Sequence, residues 1–222
     1  MPQWNALVVF DLDGTLLRGH TVCEILAASL GRLERMQQLE RFATKDDLRA
    51  GREEMAAWYR SVGIARLRDA LGNACLAPGA SEGLSLLRSH GVAVGIASIT
   101  WSFAVAHFAR LLGAEHWHGT GIEESGEIRH VWPEDKASWV QALASRLEVP
   151  LERTAAVGDS PGDTEMLHAV GMPVFVGREL PPAHSGWLHY PSGDIAAIAR
   201  HVVSAWRLAP GNPPQPAGAT GG

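Results

Sequence analysis

The chain has 222 residues, 46% of them apolar, with a formal net charge of −5 and no basic run of five or more. That size suits one α/β domain carrying an insertion, and the charge excludes the basic face of a nucleic-acid binder and the polybasic patch of a membrane-surface protein. No stretch reaches the ~18 apolar residues of a membrane span, and an apolar run starts too near Met1 to leave room for a signal peptide; the expectation is a cytoplasmic monomer or homodimer.

The first predicted element is a strand over residues 6–10, because five consecutive apolar residues suit a strand buried on both faces. It ends in Asp11 and Asp13, which begin on the same side of the strand, and then in the turn residue Gly14. The carboxyl end of such a strand is where open α/β sheets place their ligand crevice. Carboxylates crowded there repel unless a cation lies between them or one holds a proton. Asp-x-Asp-Gly also occurs in calcium loops, but those continue with more oxygen ligands, whereas Leu16 and Leu17 follow here.

Helical spacing then covers residues 21–30, 45–60 and 64–71. Asp13 and Ser98 are 85 residues apart, against about 30 for one β-α-β crossover. Residues 17–77 are therefore read as an all-helical cap without strands, inserted into a core made of residues 1–16 and 78–208. Cys23 and Cys75 have neither metal-ligand spacing nor a disulfide framework and are read as reduced, buried thiols.

A helix over 80–89 and a strand over 92–97 lead to Ser98, followed by a helix over 103–112. A hydroxyl before backbone amides entering a helix can cradle a phosphate, although strands also end in Ser or Thr for purely local reasons. A weak strand over 117–122 and a turn at Glu124-Ser125-Gly126-Glu127 precede a helix over 135–147. Lys136 stands at its start, where the helix dipole disfavours a cation unless an anion is near; a solvated surface lysine is the plainer reading. A strand over 154–157 runs into Gly158-Asp159-Ser160-Pro161-Gly162-Asp163. Asp159 and Asp163 can face one crevice, where oxygen donors suit Mg²⁺; Asp163 can also simply cap a helix over 164–170.

A short strand over 174–176 and a helix over 195–206 complete an alternation that predicts an α/β fold, a Rossmann-like doubly wound parallel sheet with right-handed crossovers. The Pro/Gly-rich residues 209–222 are expected to be disordered. The eight tryptophans are expected mostly in core or cap packing. His107, His116, His118 and His130 lack the spacing of a zinc site.

Asp11 and Asp13 in DLDGTL, Ser98, Lys136, and Asp159 with Asp163 in GDSPGD follow the order of four motifs of the haloacid dehalogenase superfamily, which the chain resembles from residue 6 to about 176. The helical insertion resembles that family's first cap type, and GDSPGDTEML followed by Ala169-Val170-Gly171 is most similar to its phosphoserine-phosphatase branch. The resemblance implies a Mg²⁺-dependent phosphomonoesterase acting on a small phosphorylated metabolite through an aspartyl-phosphate. In it Asp11 is the nucleophile and Asp13 the acid, then the base. Ser98, the Ile99 amide and Lys136 hold the phosphoryl oxygens. Mg²⁺ is held by Asp11, the Asp13 carbonyl and Asp159, with Asp163 in its outer shell or orienting Lys136.

Two departures from the branch bear on substrate choice. Ile99, Thr100 and Trp101 stand where it has two glycines and a phenylalanine. His20 stands where it has an acidic residue for the substrate ammonium, with Glu24 one turn later as a substitute. Phosphoserine is thereby one candidate beside sugar phosphates, histidinol phosphate and biosynthetic intermediates. The same motifs are also compatible with a phosphotransferase, a mutase or a non-catalytic phospho-ligand-binding protein. The candidate cap contacts are Arg18, His20, Glu24, Arg49 and Arg52.

Overall fold

The computed structural model describes residues 4–41 and 44–211; the tail expected to be disordered lies outside them from residue 212 onward. In chain order β1 (Ala6–Phe10) and β2 (Leu17–Arg18) are followed by four helices, α1 (Val22–Ser29), α2 (Leu33–Leu39), α3 (Lys45–Val62) and α4 (Ile64–Leu71). Then come β3 (Cys75–Leu76), α5 (Ala80–Ser89), β4 (Val92–Trp101), α6 (Ser102–Leu112), β5 (His116–Ile122) and β6 (Ile128–Arg129). The chain continues through α7 (Pro133–Arg146), β7 (Thr154–Gly158), α8 (Thr164–His168), β8 (Met172–Phe175), β9 (Leu188–His189) and α9 (Ile195–Ala205).

Seven strands form one sheet in the order β6-β5-β4-β1-β7-β8-β9, parallel except where β6 runs against β5. β1 is central, paired with β4 on one side and β7 on the other. Its side chains divide by alternation. Ala6, Val8 and Phe10 pack with residues of α5, α6 and α9, whereas Leu7 and Val9 pack with Val140 and Leu143 of α7 and Met166 and Leu167 of α8. All five are fully buried, as a parallel strand covered by helices on both faces requires. The doubly wound sheet is the architecture that the alternation of elements predicts.

Helices α1 to α4 all lie between β1 and β3. The chain leaves and re-enters the core through a two-stranded antiparallel pair, β2 with β3, where Leu17 meets Leu76 and Arg18 meets Cys75. That pair corrects the expectation of an insertion without strands; strands of two residues carry no readable period. Helix α2, the strand β9 and the extension of β4 through Trp101 are likewise additions to the sequence reading. Helix α1 starts in a capping box: the Thr21 hydroxyl accepts from the Glu24 amide and the Glu24 carboxylate accepts from the Thr21 amide.

The thiols are not both buried, since Cys75 is exposed and Cys23 half-buried. Of the tryptophans only Trp58 and Trp101 are buried, and the other six are half-buried, the usual place for a large ring with a polar N–H. Residues 209–211 are placed by the Gly211 amide, which donates to the Ser89 carbonyl at 2.9 Å. No helix among the described residues is long and apolar enough to cross a membrane.

Candidate active site

The sheet order places three chemistry-bearing segments side by side. Asp11 follows β1, Ser98 lies in β4 and Asp159 follows β7, and β1 sits between the other two. The chain winds toward β4 and β5 on one side of β1 and toward β7 and β8 on the other, so the carboxyl end of β1 borders a topological switch point.

Lys136, at the first turn of α7, projects into this edge and is only 2% exposed. Its ammonium donates to Asp11 Oδ1 at 2.7 Å and to Asp163 Oδ1 at 2.5 Å. Burial alone drives a lysine toward neutrality; here the charges of Asp11 and Asp163 outweigh burial and raise its pKa. The cation at a helix start, unexpected in sequence terms, therefore has two buried anions as partners. It is not a solvated surface lysine.

Asp163 is fully buried and committed on both oxygens. Oδ1 takes the lysine, and Oδ2 accepts from the Asp159 amide, the Ser160 amide and the Ser160 hydroxyl at 3.0–3.1 Å. It thus closes a capping box over the short turn Pro161–Asp163 rather than capping α8 through its side chain. Gly158 makes this fold-back possible, because a Cβ there would stand 2.5 Å from the Asp163 side chain. Asp159 is held from the other direction by the Thr15 hydroxyl, which donates to Oδ1 at 3.0 Å. Gly14, at φ +86°, lets the DLDGTL turn pass against Asp159: a Cβ would lie 2.3 Å from Oδ2.

Asp11, Asp159 and Asp163 each offer a carboxylate oxygen within 4.8 Å of the others. Three carboxylates against one ammonium leave an excess of negative charge in a desolvated place. Burial, then the Asp163 charge, raises the pKa of both Asp11 and Asp159. An all-oxygen set of this kind fits a hard divalent cation. The Asp13 carboxylate is not in this set: Oδ1 accepts from the Val22 amide, the first of α1, at 2.8 Å. Burial pushes its pKa up to about 7 against that hydrogen bond, with the Glu40 charge adding to the rise.

Ser98 is buried beside this cluster, its hydroxyl accepting from the Thr100 amide at 3.3 Å. Ile99 is 42% exposed and lines the cavity, while its carbonyl accepts from Thr120 Oγ1 at 2.8 Å. The cavity, about 290 Å³, is bounded below by Asp11, Asp13, Ser98 and Lys136 and above by residues of α1, α2 and α3. That is at the small end of the ~300–1,000 Å³ typical of ligand pockets.

Of the cap residues singled out as substrate contacts, Arg52 alone lines this cavity. His20 is exposed and pairs with Glu24 at 3.4 Å, and Glu24 is occupied by the capping box. Arg49 pairs with Asp46 on the outer face of α3. Arg18, whose guanidinium donates to the Gly14 carbonyl, borders a second, more polar recess with His20 and Arg178. Residues that the sequence reading passed over are Thr15, Ser160, Cys23 and Glu40. Thr15 and Ser160 stand inside the two Asp motifs, where a hydroxyl beside the carboxylates is the signal; nothing in the pattern around Glu40 marks it.

A family model of haloacid dehalogenase-like hydrolases matches residues 8–168. The chain belongs to this family. Among the haloacid dehalogenase-like hydrolases it is 29% identical over 175 residues to phosphoserine phosphatase SerB2 of Mycobacterium tuberculosis, covering 75% of this chain and 42% of that protein. It is 25% identical over 175 residues to a phosphoserine phosphatase of Archaeoglobus fulgidus, covering 51% of it. The chain thus spans about half the length of these two relatives. With the phosphoserine phosphatase of Methanocaldococcus jannaschii it shares 23% identity over 183 residues, 78% of this chain and 86% of that one. A substrate-bound phosphoserine phosphatase structure superposes with a TM-score of 0.70 at 19% identity, covering 88% of this chain and 97% of its own, which establishes a shared fold.

Proposed function

We propose that the protein is a Mg²⁺-dependent phosphomonoesterase that passes the phosphoryl group of a small metabolite through Asp11. The observation that carries this reading is the buried constellation at one sheet edge, in which Lys136 bridges Asp11 and Asp163 while Asp159 stands against Asp11.

Asp11 Oδ attacks phosphorus, an acyl-phosphate bond forms and the ester P–O bond breaks. Asp13, kept partly protonated near neutrality by burial, gives its proton to the departing alcohol. It then takes a proton from the water that attacks the same phosphorus, which releases phosphate and restores the Asp11 carboxylate. Lys136 and the Ser98 hydroxyl hold phosphoryl oxygens, and the Ile99 amide adds a donor at the same end of β4. Asp163 is a positioning residue that keeps Lys136 aimed at the nucleophile. Asp11 and Asp159, with the Asp13 carbonyl, would hold Mg²⁺, with Asp163 in its outer shell, and the ion when bound would neutralise the phosphoryl dianion and shield it from Asp11. Residues 17–77 act as the cap that closes the site from water, with the Asp13–Val22 hydrogen bond tying the acid to that cap.

Incubation of the full chain with p-nitrophenyl phosphate and a panel of small phosphomonoesters, O-phosphoserine included, tests the reading. Phosphate release that requires Mg²⁺ and disappears with EDTA is the expected result. A panel that releases none, with Mg²⁺-dependent binding of phospho-ligands instead, would make the protein a non-catalytic phospho-ligand binder.

A further inference from the structure

Beyond the carboxylates, Ser98 and Lys136, the residues lining the cavity are mostly apolar, with Thr21 and Thr100 among the others. Cys23, Leu39, Leu48, Met55, Ile99 and Trp101 supply this apolar wall, from both the cap and the core. One cation and one anion interrupt it, Arg52 and Glu40. Their hydrogen-bonding states differ.

Arg52 is already committed. Nη2 donates to the Ile99 carbonyl at 3.3 Å and to the Val131 carbonyl at 3.1 Å, and Nη1 meets His130 Nδ1 at 3.2 Å. The guanidinium also lies 4.5 Å from the Trp132 ring centroid. Both Nη2 hydrogens are therefore used, so neither side of the guanidinium that includes Nη2 can offer a carboxylate two parallel N–H groups. Arg52 ties α3 to the core across the cavity mouth instead of waiting for an anion. Glu40, by contrast, is exposed to solvent where it lines the cavity and has no ion-pair partner among the described residues; burial chiefly, and its charge in part, raise the pKa of Cys23 and Tyr59. Negative charge on the leaving group would thus meet Glu40 and the catalytic carboxylates, with Arg52 left only single N–H groups to offer. A leaving group with an apolar body and an ammonium would meet the apolar wall and a partner for its charge.

Resting on the phosphomonoesterase reading above, we infer that the substrate is the phosphate ester of an apolar amino alcohol without a carboxylate, with Glu40 as the ammonium's counter-ion and Arg52 as a latch between cap and core. Phosphoserine, whose carboxylate stands where the apolar group belongs, is the poorer fit.

Four matched esters assayed on the full chain with Mg²⁺ test this. They are 2-amino-4-methylpentyl phosphate, O-phospho-L-serine (carboxylate in place of isobutyl), 4-methylpentyl phosphate (no amine) and O-phosphoethanolamine (no isobutyl). The expected kcat/KM for the first exceeds that for O-phosphoserine by about 100-fold and that for each of the other two by about tenfold. Glu40→Gln loses about tenfold more with the amine-bearing ester than with 4-methylpentyl phosphate, chiefly in KM. Arg52→Lys lowers all four alike. O-Phosphoserine turned over as well as or better than 2-amino-4-methylpentyl phosphate, an equal Glu40→Gln loss on both esters, or an Arg52→Lys loss confined to O-phosphoserine overturns the inference and leaves the phosphatase reading standing. No turnover of any of these or of p-nitrophenyl phosphate overturns that reading, and this one with it.

Discussion

The two ends of the cavity are built differently. At the phosphoryl end Asp11, Ser98, Lys136 and Asp163 are all buried, each is placed by a sheet strand or a helix start, and Lys136 and Asp163 each have two or more charged or hydrogen-bonding partners. At the cap end Arg49 pairs with Asp46 on α3 and His20 with Glu24, while Arg52 donates to backbone carbonyls of the core. Backbone topology fixes the first end, so a change there removes chemistry. The second end rests on side chains over an apolar wall, so a change there alters preference. Substitutions at both ends and one pH experiment probe that contrast, in order of expected effect.

Asp11→Asn removes the proposed nucleophile at the floor of the cavity, and kcat/KM should fall by about 10⁴-fold or more with every ester while circular dichroism stays unchanged. Lys136→Met leaves Asp11 and Asp163 buried without their cation. Breaking such a pair costs about 3–5 kcal/mol, so the expected outcome is a lowered Tm without Mg²⁺, partial recovery with it, and at least about a 10²-fold drop in kcat. A Tm unaltered by the substitution would mean that the ion pair does not hold the site together.

Gly14→Ala puts a methyl group on a residue at φ +86° and against Asp159 Oδ2. A strain of about 1–3 kcal/mol is expected, read as a higher Mg²⁺ concentration for half-maximal activity; an unchanged Mg²⁺ requirement would separate Asp159 from the metal. At the other end, Arg49→Ala should change kcat/KM by less than about threefold, because an exposed pair such as Arg49–Asp46 contributes about 0–1 kcal/mol.

The smallest effect concerns stability. Burial pushes the His116 pKa down to about 4, and its Nε2 has no hydrogen-bond partner among the described residues. The folded form therefore stays neutral where the unfolded chain takes up a proton, so stability is lost as pH falls through the unfolded value of about 6.5 and levels off below the folded one. The Tm of the native chain minus that of His116→Gln should be smaller at pH 5 than at pH 7.5. An identical difference at both would contradict the assignment.

The core was readable because each of its signals is local and repeated. A five-residue apolar run marks β1, and the carboxylates follow at its end, as they do again after β7. Lys136 was legible by its oddity at a helix start. The cap was not readable to the same degree. The β2–β3 pair has two residues per strand, and α2 is only seven residues long. Glu24 looked like a substrate contact because sequence distance cannot tell a carboxylate facing a cavity from one folded back onto its own helix amide. Glu40 and Arg52 come to line the cavity only through tertiary packing, and no period announces that.

Covalent capture of the phosphoryl group decides the central claim most directly. Asp13→Asn, which lacks the base for the second step, is mixed with p-nitrophenyl phosphate and Mg²⁺, quenched in acid and mapped by mass spectrometry. The expected result is a burst of p-nitrophenol with a phosphoryl adduct on the peptide carrying Asp11, absent when Asp11→Asn is added. Turnover by a chain lacking the Asp11 carboxylate, or an adduct on another residue, would contradict it.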